Sequence, residues 1–346
     1  MKARRLCRNT GNVVENLTNV PVEENQIDEQ RHENVHIPVL CDEVIHMLDA
    51  GNGGFFVDAT LGIGGHSEAI LRSNASCTVL GIDQDPIAIE MAMSRLSQFG
   101  DRFTAVISNF EDMSKIIASR GTGEPRGVVA DIGVSSLQLD DPARGFSFRY
   151  DAPLDMRMSA NAGGQTAAEM LGQLSETEIA DIIYRYGEER FSRRIARRIV
   201  ERREAGTPVR TTFELASLVR SAVQTSKKEK IDPATRTFQA LRIAVNRELD
   251  VLEPFIRDSI NVIAPGGVLA VITFHSLEDR IVKHTFQRLS GKCICPRRAP
   301  VCSCGAVKAG EILTKKPITA SEAEIEINPR SRSAKLRGFK KFESNN

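Results

Sequence analysis

Asp58, Asp83, Phe110 and Asp131 each end, or closely follow, a short apolar run, and Gly62, Gly64 and Gly65 crowd four positions just after the first of these acids. Acids in such places can accept hydrogen bonds from a ligand's hydroxyl or amine groups. A glycine turn that opens a helix lets a ligand lie against bare backbone at the helix N-terminus. The run Phe55-Phe56-Val57-Asp58-Ala59-Thr60-Leu61-Gly62-Ile63-Gly64-Gly65-His66-Ser67 reads as strand, turn and helix start.

The spacing narrows the ligand. A dinucleotide turn reads G-x-G-x-x-G, and here Ser67 holds the third position. A phosphate loop needs Lys and Ser or Thr after its last glycine, and neither follows Gly65 in that order. The remaining common user of this turn is S-adenosylmethionine. Asp83 lies 19 residues after Gly64, where an acid would meet ribose hydroxyls; the dinucleotide analogue sits at about 20 residues. Phe110 is placed to cover an adenine face.

The loop Asp131-Ile132-Gly133-Val134-Ser135-Ser136-Leu137-Gln138-Leu139-Asp140 is polar and suits methylation of an amine. The exocyclic amine of a nucleobase is a poor nucleophile because its lone pair is delocalised into the ring. An acceptor on one amine hydrogen would aim the lone pair and ease proton loss. Asp131 or a neighbouring carbonyl could do this; equally, Asp131 could fix the loop or touch the cofactor. His275, after the fifth apolar run, is a candidate for substrate binding or proton transfer, or for a helix cap. Phe146, Phe148 and Tyr150 cluster in a chain with 5% aromatics; they could stack on a base, but anchoring one domain to another is the preferred reading for each.

These residues need a parallel sheet to hold them. Expected strands cover 55–58, 78–83, 103–107, 127–132 and 268–274, with helices between them and a first helix over 36–48. Strands alternating with helices imply a sheet covered on both faces, with ligands beyond the carboxyl strand ends. From about Asp140 to Thr235 no buried strand is legible and four helices are, one of them crowded with Arg193, Arg194, Arg197, Arg198, Arg202 and Arg203. A long helix after Asp232-Pro233 is expected to carry Phe238, Leu241, Ile243, Val245 and Leu249. The expected division is a mobile extension over 1–34, a discontinuous α/β domain over 35–139 and 236–346, and a helical insertion over 140–235.

Composition sets bounds. The net charge of +1 gives no global field towards nucleic acid, so the arginine-rich helix and the basic tail Arg330–Lys341 would be local phosphate patches. Glu188, Glu189, Glu201 and Glu204 interleave with the arginines, which also fits a salt-bridged solvated face. No apolar run is long enough to span a membrane, and seven irregularly placed cysteines suggest a reducing cytoplasm. Cys293-Ile-Cys295 and Cys302-Ser-Cys304 are spaced more tightly than a C-x₂-C zinc knuckle, and no metal is assigned, although Pro296, Pro300 and Gly305 punctuate the loop well.

Six ordered motifs carry a resemblance: His36-Ile-Pro-Val-Leu40, Asp58 to Ser67, Asp131-Ile-Gly-Val-Ser-Ser136, Gln138 to Phe148, Pro153-Leu-Asp-Met-Arg-Met158 and Phe274-His-Ser-Leu-Glu-Asp-Arg280. Together they resemble the RsmH/MraW family of ribosomal RNA small subunit methyltransferases, from His36 to the tail. The resemblance implies a class I S-adenosylmethionine-dependent methyltransferase sheet domain, Rossmann-like, with an inserted all-helical domain. It implies N4-methylation of a cytidine in the decoding region of 16S rRNA, with free rRNA or the assembled small subunit as partner. It implies cofactor contacts at Gly64, Gly65, His66, Asp83, Phe110, Asp131 and Gln138. It settles no catalytic base, so Asp131 and His275 stand as candidates.

Two other classes compete: a nicotinamide-dependent dehydrogenase, which Ser67 opposes, and a binding-only ribosome-assembly protein, which the intact loop from Asp131 to Gln138 opposes. S-adenosylhomocysteine, and not NAD, is expected to raise the thermal unfolding midpoint; protection by NAD alone would return the dehydrogenase to first place.

Overall fold

The strands are β1 (Gly54–Asp58), β2 (Cys77–Asp83), β3 (Phe103–Ile107), β4 (Gly127–Asp131), β5 (Val268–Thr273), β6 (Gly310–Ile312) and β7 (Lys335–Lys341). They form one sheet in the order β3-β2-β1-β4-β5-β7-β6, parallel from β3 to β5, with β7 antiparallel to both of its neighbours. The computed structural model describes residues 37–159, 163–223, 232–295, 301 and 303–343. The extension expected over 1–34 lies outside them, as do His36 and Cys302.

The helices are α1 (Cys41–Met47), α2 (Gly65–Ser73), α3 (Pro86–Leu96), α4 (Met113–Arg120), α5 (Ser136–Asp140), α6 (Ala167–Gln173), α7 (Glu176–Gly187), α8 (Ser192–Glu204), α9 (Thr212–Ala222), α10 (Ala234–Asn246), α11 (Glu248–Val262), α12 (Ser276–Leu289) and α13 (Glu322–Ile327). All six residues of β5 are buried, as expected for a strand covered on both faces. Alternate residues serve opposite faces. Phe56, Val79, Ala270 and Ile272 pack with Leu40, Val44, Ile70 and Leu71 of the α1–α2 layer. Val57, Leu80, Leu269 and Val271 pack with Phe255, Ile256 and Phe286 of the α11–α12 layer. A third core, with Leu154, Ile179, Ile183, Ile195, Leu215 and Phe238 among its members, is built from helices and irregular chain.

The chain runs outward from β1 through β2 to β3, then returns to place β4 on the other side of β1. This reversal opens a crevice at the carboxyl ends of β1 and β4, where open α/β sheets bind ligands. Asp58 ends β1 and Asp131 ends β4, so both edges of the crevice carry an acid.

Three expectations change. The first helix starts at Cys41 instead of 36, because Leu40 takes a left-handed conformation (φ 52°) that breaks the helical path. The helix after Asp232 ends at Asn246; Arg247 is also left-handed (φ 53°), which puts Leu249 in α11. The tail is no free basic arm. Lys335–Lys341 is β7 inside the sheet, with Leu336, Gly338 and Phe339 buried and Arg337 paired to Asp279 at 2.6 Å.

Phe339 is fully buried and packs against Phe286 with ring centroids 5.2 Å apart. Phe339→Ala should lower stability by about 3–5 kcal/mol, read from the urea midpoint, since it empties the joint between β7 and the α12 layer.

Candidate methyl-transfer site

The parallel strands bring most of the expected site residues to one edge. Gly64 precedes α2, Gly65 and His66 begin it, Asp83 ends β2, Phe110 follows β3 and Asp131 ends β4. Gln138 lies in α5, and His275 lies between β5 and α12.

The glycine turn works in two ways. Gly64 is left-handed (φ 81°), and a Cβ there would come within 2.8 Å of Leu96 Cδ1. Gly62 is also left-handed (φ 50°), but a Cβ there would face open space. Gly64 therefore permits close packing of the turn on α3, whereas Gly62 leaves backbone open to a ligand. No side chain caps the N-terminus of α2, and the first N–H groups of a helix have no intrahelical acceptor.

Asp83 holds the turn from below. It accepts from Gly62 N at 2.8 Å and from Asp85 N at 2.9 Å. Burial pushes its carboxyl up to about 6, partly countered by these two donors. Phe110 packs edge-on to Phe255, with centroids 4.8 Å apart, and is only partly buried.

His66 lies in the crevice between two acids. Asp58 is buried; it accepts from Ser67 Oγ at 2.8 Å and from Thr60 N at 3.3 Å. Thr60 Oγ1 accepts from Asp131 N at 2.6 Å, tying the turn to the end of β4. His66 Nε2 lies 3.8 Å from Asp131 Oδ2, an ion pair too long for a hydrogen bond. Burial opposes protonation of His66, but Asp131, the Cys41 thiol and Asp58 outweigh it and push the imidazole up to about 10. Both imidazole nitrogens and Asp131 Oδ1 are buried without a hydrogen-bond partner among the described residues. Buried polar atoms in native proteins are almost always satisfied. Three orphaned atoms beside an open glycine backbone fit a polar, nucleoside-bearing ligand.

Gln138 has a different posture. It is buried, its Oε1 accepts from Ser135 N at 3.1 Å, and its Nε2 lies 3.4 Å from both Asp85 Oδ2 and Met158 O. The same Asp85 oxygen accepts from Arg144 Nη1 at 3.0 Å, and Arg144 Nη2 donates to Met158 O at 2.6 Å. Asp85 also caps α3 through Ile87 N at 3.1 Å. The sequence gives Asp85, Arg144 and Thr60 no site role, and Ser67 only the place of the missing third glycine. The Asp85-Pro86 cap pattern was the available signal for Asp85; nothing local marks Arg144 as its partner.

His275 caps α12. Its Nδ1 accepts from Glu278 N at 3.4 Å, and Glu278 Oε2 accepts from Phe274 N at 2.8 Å and His275 N at 3.2 Å. Its Nε2 lies 3.0 Å from Oε1 of the fully buried Glu278. Of the clustered aromatics, Phe148 packs edge-on to Phe238 at 4.8 Å and Phe146 is buried, while Tyr150 is exposed.

The sheet order, the acid-lined reversal between β1 and β4 and the glycine turn define a class I methyltransferase. The chain belongs to the MraW methylase family, whose profile matches residues 33–342. Among its relatives is the ribosomal RNA small subunit methyltransferase H of Carboxydothermus hydrogenoformans, 49% identical over 307 residues, spanning 89% of this chain and 98% of the relative. The Geobacter sulfurreducens protein of the same name is 48% identical over 309 residues, spanning 89% and 99%.

A histidine whose folded pKa is raised contributes stability that is fully present below its unfolded value near 6.5 and lost as pH rises through about 10. The stability advantage of the native protein over His66→Gln should therefore shrink across pH 6.5 to 10 in urea titrations. An advantage constant with pH would show that His66 is neutral.

Proposed function

We propose that this chain methylates the exocyclic N4 of a cytidine in the decoding region of 16S rRNA, using S-adenosylmethionine. Family membership and the relatives' names support small-subunit rRNA as the substrate. The observation that carries the amine chemistry is Asp131 Oδ1, a buried acceptor without a partner among the described residues at the β1–β4 reversal.

Bound S-adenosylmethionine supplies a methyl group on a positively charged sulfur. The chain does the rest. Open backbone at Gly62, with Gly64 and Gly65 behind it, receives the amino-acid end against the start of α2. Asp83 meets ribose hydroxyls, and Phe110 lies beside the base. Asp131 accepts one amine hydrogen of the target cytidine, aims the lone pair and takes up the released proton. Protonated His66 faces the other oxygen of Asp131. Gln138 braces the loop between Asp131 and Asp85 in addition to any contact with the cofactor. His275 acts as a positioning residue, holding α12 at the end of β5.

The helical insertion has a core of its own, but that core also takes in Phe238 and Leu241 of α10, beyond the expected boundary at 235. Arg193, Arg194 and Arg198 of α8 are exposed and suit rRNA phosphates. Arg202 and Arg203 serve the fold: Arg202 pairs with Glu214, and Arg203 donates to Leu171 O and Leu174 O. No helix among the described residues is long and apolar enough to cross a membrane. The reading places the enzyme in the cytoplasm, with its rRNA.

Undermodified small subunits incubated with the protein and labelled cofactor should gain label on one cytidine, at N4 by nuclease digestion and mass spectrometry. Asp131→Asn should lower kcat by roughly 10²–10⁴-fold, the usual range for a lost general base. Label on a ring carbon or a ribose oxygen would overturn the amine assignment.

A further inference from the structure

The loop from Gly291 to Ala309 joins α12 to β6 and belongs to no part of the methyl-transfer site. Its base is pinned: Lys292 N donates to Gln287 O at 2.9 Å, Val307 N to Arg288 O at 2.8 Å and Ala309 N to Leu289 O at 2.8 Å. Above that base, no described residue between Gly291 and Ala309 is buried, and Val301 and Val307 are exposed. The described residues of this loop have no buried side chain to offset their conformational entropy.

The structure brings three thiols together there. The sulfurs of Cys293, Cys295 and Cys304 all lie within 4.8 Å of one another. Cys304 Sγ is 3.8 Å from Cys293 Sγ, far beyond the roughly 2.05 Å of a disulfide bond. A tetrahedral zinc ion with Zn–S bonds of about 2.3 Å separates its sulfurs by about 3.8 Å. Ser303 N donates to Cys295 Sγ at 3.4 Å, a bond that favours the thiolate form a metal needs. Gly291 (φ 81°) and Gly305 (φ 63°) supply left-handed turns beside the first and third cysteines. The C-x-C spacing disfavours a knuckle in the sequence, yet the fold collects the thiols from two separate turns.

We propose that Cys293, Cys295 and Cys304 form a thiolate clasp for a zinc-class divalent cation that cross-links this loop. Each thiol releases its proton to solvent as it ligates, so affinity rises with pH. The role is structural. α12 leads away from the carboxyl end of β5, and the strand after the loop registers Gly310 with Lys341, whose N–H donates to Gly267 O just before β5 begins. The clasp therefore sits at the sheet edge opposite Asp131.

The test uses the full chain, purified under reductant and reconstituted with zinc or cobalt. Equimolar zinc by mass spectrometry and a thiolate-to-cobalt charge-transfer band are expected. Both should fall to background in the Cys293→Ser, Cys304→Ser double variant and persist in Cys77→Ala, which alters a thiol outside the loop. The double variant should also be cut by protease between 291 and 309 while keeping its protection by S-adenosylhomocysteine, which shows that it folds. No retained metal in the reduced native chain would overturn the proposal, as would metal that persists in the double variant. So would a disulfide between two of these cysteines in chain alkylated at the moment of lysis.

Discussion

The buried His66 imidazole, set between the carboxylates of Asp58 and Asp131, ties together the carboxyl edge of the sheet. Against its burial, Asp131, the Cys41 thiol and Asp58 raise the pKa of His66, and removing His66 would leave the two acids facing each other without a cation between them. The constraint reaches into the backbone. Asp58 is held by Ser67 from the start of α2 and by Thr60 N from the turn, and Thr60 in turn accepts from the N–H of Asp131. The ends of β1 and β4 are thus locked to the glycine turn by polar contacts, on top of the strand pairing that sets their register.

A second polar joint carries the site outward. Asp85 caps α3 with one oxygen and receives Arg144 and Gln138 with the other. Arg144 also grips the carbonyls of Arg157 and Met158, and Asn246 grips the same segment from α10. The end of β2 and the loop after β4 therefore meet at one buried carboxylate, and the segment 156–158 links them to α10 of the helical core. A shift of the helical core would be felt at Gln138, seven residues from Asp131.

Function separates along the sheet. The carboxyl edge holds the charge cluster, the glycine turn and Phe110. The amino edge holds the pinned loop after α12 and its three thiols. α12 spans the distance between them: His275 caps its start and the cysteine loop follows its end. His275 caps α12 through Nδ1, while its Nε2, like Asp131 Oδ1 at the reversal, is buried without a hydrogen-bond partner among the described residues.

The sequence alone determined the strand-turn-helix at Asp58–Ser67, the acids at the ends of β2 and β4, and the helical character of the middle of the chain. Each of these rests on local signals: apolar runs, left-handed glycines and caps followed by proline. Tertiary structure decided what local signals cannot carry. Lys335–Lys341 reads as a basic tail because its charges alternate with Leu336, Gly338 and Phe339, and only the vacant edge of β5 and the carboxylate of Asp279 make it a buried strand. Arg144 looks like one basic residue among many until Asp85 is folded against it. His66 looks like an ordinary helix-start residue until two carboxylates from other strands surround it. Charges acquire roles from partners distant in sequence, and the energy of pairing them depends on burial that only the complete fold creates.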